Sequence, residues 1–159
     1  MPALKPPPAV GKLAPDFTLP TDDGSTLTLK SLRGRPVVLY FYPKDDTSSC
    51  TLEACEFRDA FPNFENVNAV ILGVSPDPIK SHVKFKTKYD LPFTLLADTE
   101  KKVVTRYGVW KEKSMYGRKY MGVIRTTFVI DAKGTLRKIF ADVKSAGHAA
   151  QVMAAIQAL

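Results

Sequence analysis

The residues best suited to covalent chemistry are two thiols, Cys50 and Cys55, and the short polar run Thr47-Ser48-Ser49 ahead of them. The thiolate is the reactive form of cysteine, and a free thiol titrates near about 8.5, so a cysteine reacts where its surroundings favour the anion. The unpaired N–H groups and dipole of a helix N-terminus do so. Thr47, Ser48 and Ser49 are three successive N-cap candidates, and Leu52, Glu53, Ala54, Glu56 and Arg58 behind them are helix formers, so Cys50 is expected in the first turn of a helix. The ordinary alternative for a lone cysteine is core packing. Position argues against it. Residues 37–42 (VVLYFY) form an unbroken run of β-branched and aromatic side chains, the pattern of a strand buried on both faces, and Pro43 ends it. The carboxyl end of such a strand is where open α/β sheets place their sites.

The two thiols differ in placement. At about 100° per residue, Ala54, Phe57 and Phe61 fall within about 40° of Cys50, an apolar stripe that should face the sheet. Cys55 lies about 140° away, on a side shared with Leu52 and Asp59. Four residues separate the cysteines, so no C-x-x-C redox motif is present. The only histidines, His82 and His148, lack the paired spacing of a zinc site; they read as a helix-face residue and a polar residue opening the last helix. Arg125 opens a further strand-like run. If that strand lies antiparallel beside residues 37–42, its start lies near the other's end, and a planar guanidinium there would favour a thiolate at Cys50.

The remaining elements supply the frame. A short hairpin is expected from residues 17–19 and 27–29 around Asp22-Asp23-Gly24, a break at Pro62, and a buried strand over 69–75. Asp77-Pro78 starts a helix with Ile79, His82, Val83 and Tyr89 along one side. A strand over 94–97, a short helix over 101–107 and a hairpin of 126–130 with 136–141 follow. The last helix carries Ala149, Val152, Met153, Ile156 and Leu159 in helical spacing. Strand-helix alternation implies parallel crossovers, and the late hairpin makes the sheet mixed, with helices on both faces.

At 159 residues the chain suits one domain, expected over 13–159 behind a proline-rich tail over 1–12. No segment approaches the roughly 18 consecutive apolar residues of a membrane span, and residues 1–12 have no signal-peptide core, so a cytoplasmic protein without a membrane partner is expected. There, two nearby cysteines point to redox chemistry or packing rather than a permanent staple. The formal charge of +7 assists encounter with acidic partners, but no nucleic-acid-reading motif accompanies it.

Pro43, Thr47 and Cys50 match the P-x-x-x-T-x-x-C signature of peroxiredoxins, and YFYPKDDT followed by CTLEACEFRD resembles the PrxQ, or bacterioferritin-comigratory, subfamily. The resemblance extends to APDF at 14–17, WKEKSMYG at 110–117 and IRTTFVID at 124–131. It departs at Ser48-Ser49, where that subfamily usually has Pro-Gly. It implies a thioredoxin-like α/β fold and a thiol-dependent peroxidase acting on hydrogen peroxide and organic hydroperoxides. Cys50 would be the peroxidatic cysteine and Cys55 the resolving cysteine, paired in an intramolecular disulfide that thioredoxin reduces. Thr47 would organise the cysteine and a peroxide oxygen, Pro43 would shield the pocket, and Arg125 would hold sulfur and peroxide. The resemblance further implies a monomer needing neither haem nor metal. The alternative reading is a thioredoxin-like redox adaptor or binding module, which would not consume peroxide.

Overall fold

The computed structural model describes residues 5–159. In chain order its strands are β1 (Thr18–Pro20), β2 (Thr26–Thr28), β3 (Val37–Phe41), β4 (Val70–Ser75), β5 (Thr94–Ala97), β6 (Trp110–Met115), β7 (Arg118–Val123), β8 (Thr126–Ile130) and β9 (Leu136–Phe140). The helices are α1 (Ser48–Asn66), α2 (Ile79–Tyr89), α3 (Lys102–Arg106) and α4 (His148–Gln157).

All five residues of β3 are buried, which places it at the centre of a five-stranded sheet ordered β5-β4-β3-β8-β9. It pairs parallel with β4 and antiparallel with β8, so Phe41 at its end lies opposite both Val74 and Thr126. The sheet is therefore mixed. On one face Leu39, Phe41, Leu72, Val74 and Phe128 pack against Val103 and Val104 of α3 and Leu19 of the β1–β2 hairpin. On the other, Val38, Tyr40, Ile71 and Val129 meet Ala54, Phe57 and Phe64 of α1, Val152 and Ile156 of α4, and Phe85 of α2. Alternate side chains of one strand thus feed two cores, and the second carries the cysteine helix.

Several expectations need correction. Pro62 does not break the chain: α1 runs through it to Asn66. A proline there removes the bond to the Arg58 carbonyl, typically a loss of about 3 kcal/mol. Phe64, fully buried one half-turn on and 6.0 Å from the Phe57 ring, offsets that loss by packing. On α2 the buried residues are His82 and Phe85, whereas Val83 is exposed. Residues three apart share a face, and Val83 is one residue, about 100°, off it. The β6–β7 hairpin was not anticipated, because both its faces are largely exposed and no apolar alternation marks it. Its signal was the turn Tyr116-Gly117, both with positive φ (51° and 77°), the conformation of a tight two-residue hairpin loop. The first hairpin lies within a residue of its expected place, and Leu29 instead begins a 3-10 turn, Leu29–Leu32.

Of the expected 1–12 tail, residues 1–4 lie outside the described residues. Beyond them, the Gly11 N–H donates to the Leu136 carbonyl and the Leu136 N–H to the Lys12 carbonyl, laying this stretch along β9. No helix among the described residues is long and apolar enough to cross a membrane.

Candidate active site

Tyr42 and the half-buried Pro43 leave the end of β3, a four-residue turn follows, and α1 begins. Thr47 occupies the N-cap position in extended conformation, and its carbonyl accepts the Thr51 N–H at 2.8 Å. Its hydroxyl does not cap the helix. It donates to the Lys44 carbonyl at 3.0 Å, closing the turn and leaving the hydroxyl oxygen able to accept. Within that turn Asp46 has φ 57°, an uncommon value for a residue other than glycine.

Cys50 is the third residue of α1, so it lies in the turn whose N–H groups have no partner within the helix. It is only 1% exposed, and its Sγ accepts from Arg125 Nη2 at 3.2 Å. Arg125 reaches it because β8 runs antiparallel to β3 and begins beside the end of β3. The backbone of Arg125 is itself fixed, its carbonyl accepting the Val143 N–H at 2.9 Å. Across the same helix the loop before α4 braces the first turn: Ser145 donates to the Ser49 carbonyl at 2.7 Å. Thus β3, α1, β8 and the approach to α4 each hold one part of the site.

Glu53, read from the sequence only as a helix former, completes the group. Three residues after Cys50, it shares that residue's face, and its Oε1 accepts from Arg125 Nη1 at 2.6 Å. Its side chain is fully buried and that of Arg125 is 11% exposed. One cation therefore sits between a thiol and a carboxyl. Burial raises the Glu53 pKa to about 7, against the opposing pull of the Arg125 charge and hydrogen bond. For Arg125, burial works against the charged form, but Glu53 and Cys50 outweigh it and hold the guanidinium above its ordinary value. Glu53 Oε2 and the Tyr40 hydroxyl are buried side-chain atoms without a hydrogen-bond partner among the described residues. The Cys50-x-x-Glu53 spacing was the available signal for this residue.

Cys55 is half-buried on the other side of α1, and both thiols are free. The structure thus brings Cys50 and Arg125 together, sets Pro43 and Thr47 on the turn that leads to them, and keeps Cys55 apart.

The histidines are not surface residues. His148 is buried at the start of α4, its Nε2 2.8 Å from the Thr127 hydroxyl, and burial lowers its pKa. His82 is buried with Nδ1 2.7 Å from Asp45 Oδ2. Asp45, Asp77 and His82 form the cluster among the described residues that could hold a metal ion. Asp45 accepts from Tyr42 through Oδ1 and from Ser81 through Oδ2, and Asp77 Oδ2 accepts from both Ser75 and the Asp45 N–H. These bonds join the three residues into one hydrogen-bond network.

The profile of the AhpC/TSA family matches residues 10–139. Peroxiredoxin Bcp of Bacillus subtilis is 48% identical over 144 residues, covering 91% of this chain and 92% of its own. Among solved structures, Xylella fastidiosa PrxQ superposes with a TM-score of 0.91 at 33% identity, covering 97% of this chain and 98% of that one. The bacterioferritin comigratory protein of Xanthomonas campestris, studied for its alkyl peroxide reduction activity, gives 0.85 at 39% identity over 89% and 90%. The fold is therefore thioredoxin-like, as in these structures. The chain belongs to the AhpC/TSA family, within its Bcp/PrxQ peroxiredoxins.

Proposed function

We propose that this peroxiredoxin reduces hydrogen peroxide and organic hydroperoxides through Cys50, with Cys55 resolving the oxidised sulfur. The Arg125 Nη2 contact to Cys50 Sγ at 3.2 Å carries this reading. A fixed guanidinium sets a positive charge and a donor against the sulfur, and its planar set of donors suits a second acceptor beside the first. The Cys50 thiolate attacks the terminal peroxide oxygen and the O–O bond breaks. The leaving alkoxide or hydroxide takes a proton to become alcohol or water, and Cys50 becomes a sulfenic acid. Arg125 and the first-turn N–H groups stabilise the charge that moves from sulfur to the leaving oxygen. Thr47, whose proton points at Lys44, accepts the peroxide O–H, and Pro43 shields the pocket.

Cys55 then condenses with the sulfenic acid, releasing water and forming an intramolecular disulfide. In an intact helix, residues five apart have Cα atoms roughly 8.5 Å apart. A relaxed disulfide needs about 4.4–6.8 Å, so the first turns of α1 unwind before the bond forms. Unwinding also brings the disulfide to the surface for thioredoxin, the reductant in this reading. The enzyme acts as a cytoplasmic monomer with a single domain over 13–159. Neither haem nor metal takes part.

Intact-mass and thiol analysis after one equivalent of peroxide tests this proposal. The expected result is loss of both thiols and an internal Cys50–Cys55 disulfide. Thiols that stay unreactive would overturn it and favour a redox adaptor.

A further inference from the structure

The turn that leads into α1 rests on a buried pair that the chemistry above leaves unused. His82 is fully buried on α2, with Nε2 2.9 Å from the Leu96 carbonyl of β5 and Nδ1 2.7 Å from Asp45 Oδ2. A carbonyl only accepts, so Nε2 carries a hydrogen. Neutral imidazole has one N–H, and would then turn a bare lone pair toward Asp45. The Asp45 oxygens meanwhile accept the Tyr42 hydroxyl at 2.6 Å and the Ser81 hydroxyl at 2.8 Å, the pattern of a carboxylate. A cation must fill the gap. Two ligands bound at about 2.0–2.2 Å to a tetrahedral metal lie more than about 3 Å apart, so at 2.7 Å the cation is a proton.

We propose that the buried His82–Asp45 ion pair locks the turn over 43–47, and that losing its proton releases the turn and the start of α1 toward the unwound form in which Cys50 and Cys55 pair. His82 is thus a positioning residue. The inference rests on the peroxidase reading only in what the unwound form is for.

Asp45 is the interior anchor of the turn. Its neighbour Asp46 is held in its left-handed conformation by Lys88 and Tyr89 at 2.8 and 2.6 Å, but these contacts are exposed. Removing the charge of one member of a buried pair leaves the other uncompensated, so this anchor responds steeply to protonation. The groups facing the pair come from the end of β3, from α2 and the turn before it, and from β5. Tyr42 lies at the end of β3, its hydroxyl 3.5 Å from Nδ1. Ser81 is on α2, and Asp77, ahead of α2, takes the Asp45 N–H at 2.8 Å. From β5 comes the Leu96 carbonyl, while Asp98 beyond it is turned to the Val104 N–H. Lys88 is engaged by Asp46.

Burial disfavours the imidazolium, but the hydrogen bond and charge of Asp45, with the Leu96 carbonyl and Asp77, hold the His82 pKa above its ordinary value. A group raised in the locked form stabilises that form fully below its free value of about 6.5 and loses the effect as pH climbs through the raised one. Release is therefore an alkaline event.

The test follows ring-nitrogen NMR of His82 and amide exchange of residues 45–51 in the reduced protein from about pH 6 to about pH 9, with exchange corrected for its intrinsic base catalysis. Both ring nitrogens should be protonated at neutral pH, and corrected exchange should rise about tenfold or more with the midpoint of the His82 titration. His82→Gln should exchange rapidly at every pH and form the disulfide several-fold faster after peroxide. Lys84→Gln, exposed on the same helix, should keep the pH step. A singly protonated His82 at neutral pH, or exchange that stays flat while His82 titrates, overturns the proposal. The wild-type measurements need no variant to fold. They also need no turnover, so inert thiols would sink the peroxidase reading without touching this result.

Discussion

The two faces of α1 carry the same side chain to different ends. Cys50 is buried against β3, within reach of a cation from β8 and beside a buried carboxyl. Cys55 is half-buried on the opposite side, next to the exposed Leu52 and Asp59. A thiol acquires its chemistry from what the sheet brings to it, and five residues along one helix are enough to lose that. The contrast also separates roles: the buried face suits capture of a small oxidant, and the open face suits a thiol that must travel.

Replacing the sulfur on the buried face should have the largest effect. Cys50→Ser should lower peroxide consumption by at least about a thousandfold, because a hydroxyl supplies no accessible anion. Its circular dichroism and thermal midpoint should stay close to wild type, and turnover retained in this variant would erase the distinction between the faces.

Arg125→Lys keeps the charge and should still slow single-turnover oxidation of Cys50 by about a hundredfold. Lysine cannot contact Glu53 and Cys50 through two arms of one planar group while a third acceptor binds. A wild-type rate in stopped-flow oxidation would remove Arg125 from the reacting group.

Glu53→Gln keeps an oxygen for Arg125 Nη1 and removes the second acid competing for that cation, so oxidation should change by only a few-fold. Its clearer mark is on stability. With its pKa raised from 4.5 to about 7, folded Glu53 holds a proton that the unfolded chain lacks between those values. Wild-type stability from this group is full below 4.5 and declines by up to about 3 kcal/mol as pH rises to about 7. Denaturant unfolding across that range should show the slope in wild type and lose it in the glutamine variant; an unchanged slope would place the titration elsewhere.

On the open face, Cys55→Ser should leave the first oxidation within about twofold of wild type. The product should stop at sulfenic acid and advance to sulfinic acid under excess peroxide, with thioredoxin-supported turnover lost. Mass spectrometry of the oxidised protein distinguishes this from a Cys55 that takes part in the first step.

Much of the frame was legible in residue order. The VVLYF run of β3, the capping residues before Cys50, the stripe of Ala54 and Phe57, and the hairpin of β8 and β9 all follow from local periodicity and turn chemistry. Even the approach of Arg125 to Cys50, 75 residues apart, followed from one assumption about strand direction. What residue order left open were choices made by partners distant in the chain. Glu53 is an ordinary helix former until Arg125, 72 residues on, accompanies it into the core. His82 lies on a helix face until Asp45, 37 residues before it, makes its burial tolerable. Pro62 reads as a stop until packing around Phe64 outweighs one lost hydrogen bond. The sequence by itself determined most of the segments and where Cys50 stands, because those depend on neighbours within a turn or a strand. Only the tertiary structure decided which charges are buried, because burial of a charge is settled by the partner that meets it there.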